Sequence, residues 1–297
     1  MQGCLPPQTV IIAGPTAVGK SLLAVEVAER LGGEIVGADA FQIYAGLDVL
    51  SAKPEPALMA QVPHHLIGEV PLDESFDVAK YLKRVRECVE AIVARGRVPV
   101  VCGGTGLYLR ALTRGLAEMP SADAYLREEL ASQSLPELVE RLRKLDPEGV
   151  SAIDLANHRR VIRALEVCLL TGKPFSSFRT QWDQSAAPVR AFVLSRPREE
   201  LVQRIELRTQ VMFAAGVMEE VAAVQGISAT AFRMLGFREI QQCNKGEMSR
   251  DECIASIQQG TRNYAKRQMT WFRREAGWEW IDLATVKAPL EKITGVI

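Results

Sequence analysis

An unbroken apolar run, Val10-Ile11-Ile12-Ala13, is the pattern of a strand covered on both faces of a parallel sheet. It predicts a strand over residues 9–13. Beyond Ser21, the residues Leu23, Val27 and Leu31 recur every four positions, as on one face of a helix, and Gly32-Gly33 stops it. Further strands are predicted over 34–38 and 98–102. Between them a helix is predicted over 78–95, with Leu82, Val85, Val89 and Ile92 on one face, Asp77 as N-cap and Gly96 as stop. Strands alternating with helices imply βαβ units and a parallel sheet. From 121 to 184 the texture changes to charged, helix-forming residues without a strand pattern, with Pro120 and Pro136 placed where helices begin. Residues 190–195 return to the sheet. Helices then continue to about 276, and a short strand follows over 278–282. The reading is an α/β fold, a parallel sheet flanked by helices: 1–120 as the first part of the core, 121–184 as an all-helical insertion, and 185–297 as the rest of the core with C-terminal helices. The tail beyond 282 carries no pattern.

Composition adds bounds. A hydrophobic content of 47% over 297 residues suffices for a large core. The 36 Lys and Arg balance 36 Asp and Glu, so a nucleic-acid partner must be held by a local basic patch rather than by net charge. Six cysteines without a C-x-x-C pair read as small buried residues in a reducing compartment. The first residues lack the basic and apolar regions of a signal peptide, and no stretch approaches a membrane span. The expectation is a cytoplasmic, monomeric protein with no membrane partner.

The chemistry begins at Gly14-Pro15-Thr16-Ala17-Val18-Gly19-Lys20-Ser21, which fits G-x-x-x-x-G-K-[ST], the phosphate-cradling P-loop. The predicted strand before it and helix after it would direct backbone N–H groups and a helix N-terminus at an anion. Lys20 adds a point charge and the Ser21 hydroxyl can hold Mg²⁺. Asp39 falls at the carboxyl end of the second strand, the edge where open parallel sheets bind ligands. It could act as a base, hold Mg²⁺, or merely cap a turn. Gly103-Gly104-Thr105-Gly106 follows the next strand and offers close backbone approach and one hydroxyl, or a plain tight turn. That strand ends without the carboxylate often found in Walker-type ATPases, which weakens a hydrolase reading.

Basic residues cluster twice: Arg159, Arg160 and Arg163 in the insertion, and Arg262, Lys266, Arg267, Arg273 and Arg274 among Tyr264, Trp271 and Phe272. Guanidiniums with aromatics suit phosphates and unstacked bases, although charge runs are most often solvated faces. Arg204 and Arg208 share a helix face. They could clamp a pyrophosphate, but pairing with Glu200 and Glu206 is the ordinary outcome. His64 and His65, as sequence neighbours, do not share a face and read as structural. With only His158 left, a Ser-His-Asp triad has little support.

These residues together resemble the bacterial tRNA dimethylallyltransferase (tRNA isopentenylpyrophosphate transferase) family over nearly the whole chain. The carrying stretches are GPTAVGKS at 14–21, ADAFQIYAGLDVLSAKP at 38–54, PHHL at 63–66, GGTGLYLRAL at 103–112, SADAYLR at 121–127, NHRRVIRALEV at 157–167, RIELR at 204–208, MLGFREI at 234–240 and RNYAKRQMTWFR at 262–273. The resemblance implies transfer of a dimethylallyl group from dimethylallyl pyrophosphate to the exocyclic amine of the adenosine just 3′ of the anticodon. It makes Asp39 the base and Thr105 the donor to the bridging oxygen. Lys20 and Arg208 become the neutralisers of pyrophosphate, and Mg²⁺ lies near Ser21. Contacts to the tRNA anticodon stem-loop would map onto Asp39, Ala40, Phe41, Gln42, Thr105, Arg127, Asn157, His158, Arg159, Arg160, Val161, Arg233, Met234, Leu235, Gly236, Phe237 and Arg238. The chain departs from the family at Ala40, where Ser is usual, and at Asn157-His158, where Asp-Pro or Asn-Pro is common. No Cys/His zinc-finger pattern follows residue 273. Three rivals share the P-loop: an adenylate isopentenyltransferase acting on free nucleotides, a nucleotide or small-molecule kinase, and a non-enzymatic RNA-binding protein.

Overall fold

Parallel pairing runs through all six strands of the one sheet in the computed structural model, which describes residues 5–117, 119–178 and 189–295. The described residues form two compact units, one of residues 114–178 and the other of residues 5–113 and 189–295. The second unit holds the sheet. In chain order it contains β1 (Val10–Ala13), α1 (Lys20–Leu31), β2 (Gly33–Gly37), α2 (Pro56–Met59), β3 (His64–His65), α3 (Val78–Ala94), β4 (Val98–Gly103) and α4 (Gly106–Arg114). The helices α5 (Ala124–Ala131), α6 (Leu135–Leu145) and α7 (His158–Thr171) make up the other unit. The chain then returns through β5 (Arg190–Ser195), α8 (Arg198–Ala214), α9 (Val217–Ala222), α10 (Phe237–Asn244), α11 (Arg250–Phe272), β6 (Glu279–Asp282) and α12 (Pro289–Thr294).

The strand order is β3-β2-β4-β1-β5-β6. In register, Ala13 of β1 lies beside Gly103 of β4, and Gly37 of β2 beside Cys102. The segments that leave β1, β4 and β2 are therefore neighbours on one edge. Residues 10–13 and 33–37 are wholly buried, so these strands read as apolar runs rather than alternations. Val10, Ile12, Val25, Val27, Val100, Leu194, Ile205 and Ile281 share one core with α1 and α8.

Helix α3 forms as its periodicity predicts. Asp77 Oδ1 accepts the Ala79 and Lys80 N–H at 2.9 and 3.0 Å, and Tyr81, Leu82, Val85, Val89 and Ile92 are buried. One strand went unpredicted and one expectation needs correction. Strand β3 has only two residues, too few for a readable period, yet it completes the sheet edge beside β2. The tail is not featureless: α12 packs against α1 and buries Ile293 in the main core.

In the helical unit, Pro136 stands in the first turn of α6 behind a Ser134–Glu137 capping box, as expected. Pro120 starts no helix. Helix α5 begins at Ala124, capped by Asp123, and the Pro120 carbonyl instead accepts Arg163 Nη2 at 2.9 Å. The unit closes over Leu130, Leu138, Leu142, Val161 and Leu165. Glu166 is enclosed among them and accepts the Asp123 N–H at 2.8 Å, with Arg127 and Arg163 on its two oxygens. Burial alone would raise its pKa. The guanidinium hydrogen bonds outweigh burial and hold it below the ordinary carboxylate value.

Candidate active site

A cavity of about 620 Å³ opens at the carboxyl edge of β1, β4 and β2, within the sheet unit. Its P-loop wall is Thr16, Ala17, Gly19, Lys20 and Ser21. Gly14 and Gly19 take positive φ of 152° and 104°, which shapes the loop into the start of α1. Val18 turns the other way and is fully buried in the core, so it offers backbone only. Lys20 Nζ donates to the Pro15 carbonyl at 2.7 Å. Burial pulls its pKa below the usual lysine value, against the opposing pull of the Asp39 charge.

The arginines of α8 overturn the ordinary expectation of pairing with neighbouring glutamates. Glu200 pairs with Arg196, and Glu206 with Arg262. Arg204 Nε instead donates to the Ala17 carbonyl at 2.7 Å, and Arg196 Nε to that of Val18 at 2.9 Å. Arg208 lines the cavity, and its Nε is buried without a hydrogen-bond partner. Burial lowers its pKa while the Asp39 charge raises it. A buried donor left unpaired costs about 1–3 kcal/mol, and the Arg208 guanidinium adds a second cation to the wall that holds Lys20.

Asp39 does cap a turn: Oδ1 accepts the Phe41 and Gln42 N–H at 2.9 and 3.3 Å. It also lines the cavity, so the cap and the site are one feature. Thr105 is not part of the cavity wall. Its Oγ1 accepts the Ala40 N–H at 3.0 Å, and it lies beside Tyr264, which is in the wall. Burial raises the Tyr264 pKa, so this residue stays a neutral phenol. Cys102 faces Lys20 and Asp39. Burial pushes its thiol up to about 11, which excludes a thiolate nucleophile at neutral pH.

The turn 103–106 is held by α11. A Cβ at Gly104 would collide with the Gln268 amide, and one at Gly106 with the Trp271 ring. Trp271 and Phe272 are therefore packing residues: Phe272 is fully buried, and Trp271 also carries the Arg110 guanidinium. Of the basic cluster on this helix, Arg262 pairs with Glu206 and Arg267 lies over Tyr264, while Lys266, Arg273 and Arg274 are exposed. The sequence reading did not single out Gln268. The available signal was a polar residue on the buried face otherwise made by Cys253, Ile257, Thr261, Ala265 and Phe272. It also missed the apolar part of the cavity wall, Leu50, Leu58, Met212 and Ile257.

The residues proposed for RNA divide in two. Phe41, Gln42, Met234 and Leu235 line the cavity, and Gln42 Nε2 donates to the Ala52 carbonyl at 2.8 Å, fixing the neighbouring loop. Ala40 offers its N–H to Thr105. Arg233 and Arg238 are exposed at either end of the segment, with Gly236 as the N-cap of α10 at φ 93°. In the helical unit, Asn157 caps α7 by accepting the Arg160 N–H at 3.3 Å, and Asn157, Arg159 and Arg160 are exposed beside a half-buried His158. Val161 and Phe237 are fully buried core residues, so neither side chain can meet RNA. Arg127 is committed to Glu166. Of the pair at 64–65, His65 bonds Glu34 at 2.7 Å and His64 Nδ1 donates to the Val62 carbonyl at 2.8 Å, both structural roles.

Magnesium is tested by its donors. Among the described residues no group of three or more His, Cys, Asp or Glu could hold a metal ion. Ser21 and Asp39 nevertheless give the cavity two hard oxygen donors. That set fits an ion whose remaining ligands are phosphate oxygens and water, as Mg²⁺ prefers.

A family model described as IPP transferase matches residues 42–275. A tRNA dimethylallyltransferase of Akkermansia muciniphila is 42% identical over 275 residues, covering 92% of each chain. The crystal structure of a tRNA isopentenylpyrophosphate transferase from Bacillus halodurans superposes with a TM-score of 0.71 at 34% identity, covering 98% of this chain and 94% of that one. A eukaryotic dimethylallyltransferase acting on tRNA, 24% identical, gives a TM-score of 0.81 over 97% of this chain and 76% of its own, a likeness of fold.

Proposed function

Because this chain belongs to the IPP transferase family, we propose that it is a tRNA dimethylallyltransferase, moving the dimethylallyl group of dimethylallyl pyrophosphate to the exocyclic N6 amine of the adenosine 3′-adjacent to the anticodon. The observation that carries the chemistry is the shared cavity. It brings the Arg208 guanidinium, the Lys20 ammonium and the Asp39 carboxylate to one space.

In the proposed reaction the bond between the allylic carbon and the bridging oxygen breaks, and its electron pair leaves with pyrophosphate. The N6 lone pair forms the new C–N bond, and the amine proton passes to Asp39. Lys20 and Arg208 meet the charge that grows on the leaving group, where fixed donors in a water-poor site count most. The Phe41 and Gln42 N–H groups orient the Asp39 carboxylate in advance. Thr105, whose oxygen accepts the Ala40 N–H, stands behind the wall beside Tyr264, and in this reading its hydroxyl proton turns toward the bridging oxygen once the donor is bound. Ser21 would hold Mg²⁺ against the phosphates, and the ion would add positive charge there. The target base must leave its stack to reach such a cavity. Arg159 and Arg160, exposed at the start of α7, suit the RNA backbone.

The test offers labelled dimethylallyl pyrophosphate with tRNA, with AMP and with neither. Label in tRNA alone is expected, without ATP. Label in AMP promotes the free-nucleotide enzyme, and ADP formed in step with product promotes the kinase. Asp39→Asn should slow transfer by about 100-fold or more with tRNA still bound. Near wild-type turnover in that variant would remove Asp39 as the base.

A further inference from the structure

Gln268 is 6% exposed, and both ends of its amide are engaged across the sheet edge. Oε1 accepts the Thr16 N–H at 2.8 Å, and Nε2 donates to the Gly104 carbonyl at 2.9 Å. One side chain thus joins the P-loop after β1 to the turn after β4. Two further residues on its helix meet that turn: Tyr264 lies beside Thr105, and Trp271 packs on Gly106. Positions 264, 268 and 271 share one helix face. The face therefore holds residues 104, 105 and 106 in sequence, and Gln268 also reaches the P-loop.

Filling a core does not call for an amide here. Leucine or methionine would occupy the position without a polar group to satisfy. A primary amide is suited to a place needing one acceptor and one donor at once. The fit is mutual, since Gly104 has no room for a Cβ against this amide.

Resting on the prenyl-transfer reading of the cavity, we infer that Gln268 is a positioning residue that sets the spacing between the pyrophosphate cradle and the turn carrying Thr105. It acts through the Thr16 amide and the Gly104 carbonyl. The donor's phosphates belong to one loop and the hydroxyl directed at the bridging oxygen to the other, so reaction requires the two loops at a fixed separation. A displacement of about 1 Å at a reacting centre can cost about 100-fold in rate.

The test uses Gln268→Glu and Gln268→Met. Neutral Glu reproduces both bonds, accepting from Thr16 with one oxygen and donating its O–H to Gly104. The carboxylate cannot donate and faces a carbonyl oxygen. Burial raises a carboxyl pKa while the Lys20 and Arg208 charges lower it, so the ratio is followed over the whole pH range in which the proteins stay folded. Single-turnover transfer to tRNA, with both substrates saturating, is measured against pH at a temperature where circular dichroism shows each protein folded. Lys20, Asp39, Cys102, Arg204, Arg208 and Tyr264 line the same cavity in all three proteins, and their titration divides out in the ratio to wild type.

The ratio for Gln268→Glu should rise about tenfold or more as pH falls, because the neutral form restores both bonds. Gln268→Met should be about 10- to 100-fold slow at every pH. Inorganic pyrophosphate affinity, measured for the uncharged Gln268→Met, should change by less than about threefold, since lost positioning appears in kcat rather than in binding. Rates within about twofold of wild type, with only the melting temperature lowered, would make Gln268 a packing residue and overturn the inference. So would a loss of pyrophosphate affinity as large as the loss of rate. A wild-type protein that makes no prenylated tRNA overturns the functional reading, and the positioning role with it. Active wild type with unaffected variants overturns the positioning role alone.

Discussion

Thr105 Oγ1 accepts the backbone N–H of Ala40 at 3.0 Å, tying the turn after β4 to the residue that follows Asp39. One hydroxyl can thus serve both the turn and the site. The two roles separate by substitution. Thr105→Ser keeps the oxygen and should retain most activity. Thr105→Ala should lower single-turnover transfer by about 10²–10³, the usual loss for a donor aimed at developing charge. If both variants turn over like wild type and differ only in melting temperature, Thr105 only holds the turn.

Arg208 differs from Arg204 in what it already bonds. Arg204 Nε is taken up by the Ala17 carbonyl, whereas Arg208 Nε has no partner. Calorimetric titration with inorganic pyrophosphate should show Arg208→Ala and Lys20→Ala each weakened by about tenfold or more, equivalent to about 1.4 kcal/mol. Arg204→Ala should lose less. Pyrophosphate bound by Arg208→Ala as tightly as by wild type would remove the anion site from this wall.

Arg159 and Arg160 are exposed, while Arg163 and Arg127 are spent on Glu166. The double variant Arg159→Ala/Arg160→Ala should lower tRNA affinity. It should also flatten the dependence of log affinity on log salt by about 1.4, given about 0.7 per single-strand phosphate. Donor affinity should stay the same. An unaltered salt slope would reduce the pair to a solvated face.

Glu166 anchors the helical unit through charge. Its folded-state pKa lies below the ordinary value, so its contribution is present above the unfolded-state pKa of about 4.3 and is lost as pH falls through the folded-state value. Glu166→Ala should cost about 3–5 kcal/mol at neutral pH, the usual result of breaking a buried pair. Chemical denaturation of wild type and Glu166→Gln at stepped pH should show their stability gap narrowing on the acid side. A gap independent of pH would mean that shape rather than charge holds Asp123, Arg127 and Arg163.

Most of the site's local parts were legible in the chain. A strand, a glycine-bounded loop and a helix are short-range patterns, so residues 10–31 were legible as that unit by themselves. Asp39 and the 103–106 turn could be placed at strand ends, because an apolar run followed by small or polar residues fixes where a strand stops. The basic start of α7 was visible as well, but not that Val161 belongs to the core, since a buried helix face begins within the same turn.

Tertiary structure decided which of these parts meet. The order β2-β4-β1 sets Asp39, the 103–106 turn and the P-loop side by side, and strand order depends on long-range pairing that no local period encodes. Glutamates near in sequence suggested partners for Arg204 and Arg208, but packing gave those glutamates to Arg196 and Arg262 and left Arg208 in the cavity wall with its Nε unpaired. Gln268 reads in sequence as one polar residue in a long helix. Only the fold brings its amide between Thr16 and Gly104, because a hydrogen bond is made by atoms adjacent in space, however far apart they lie along the chain.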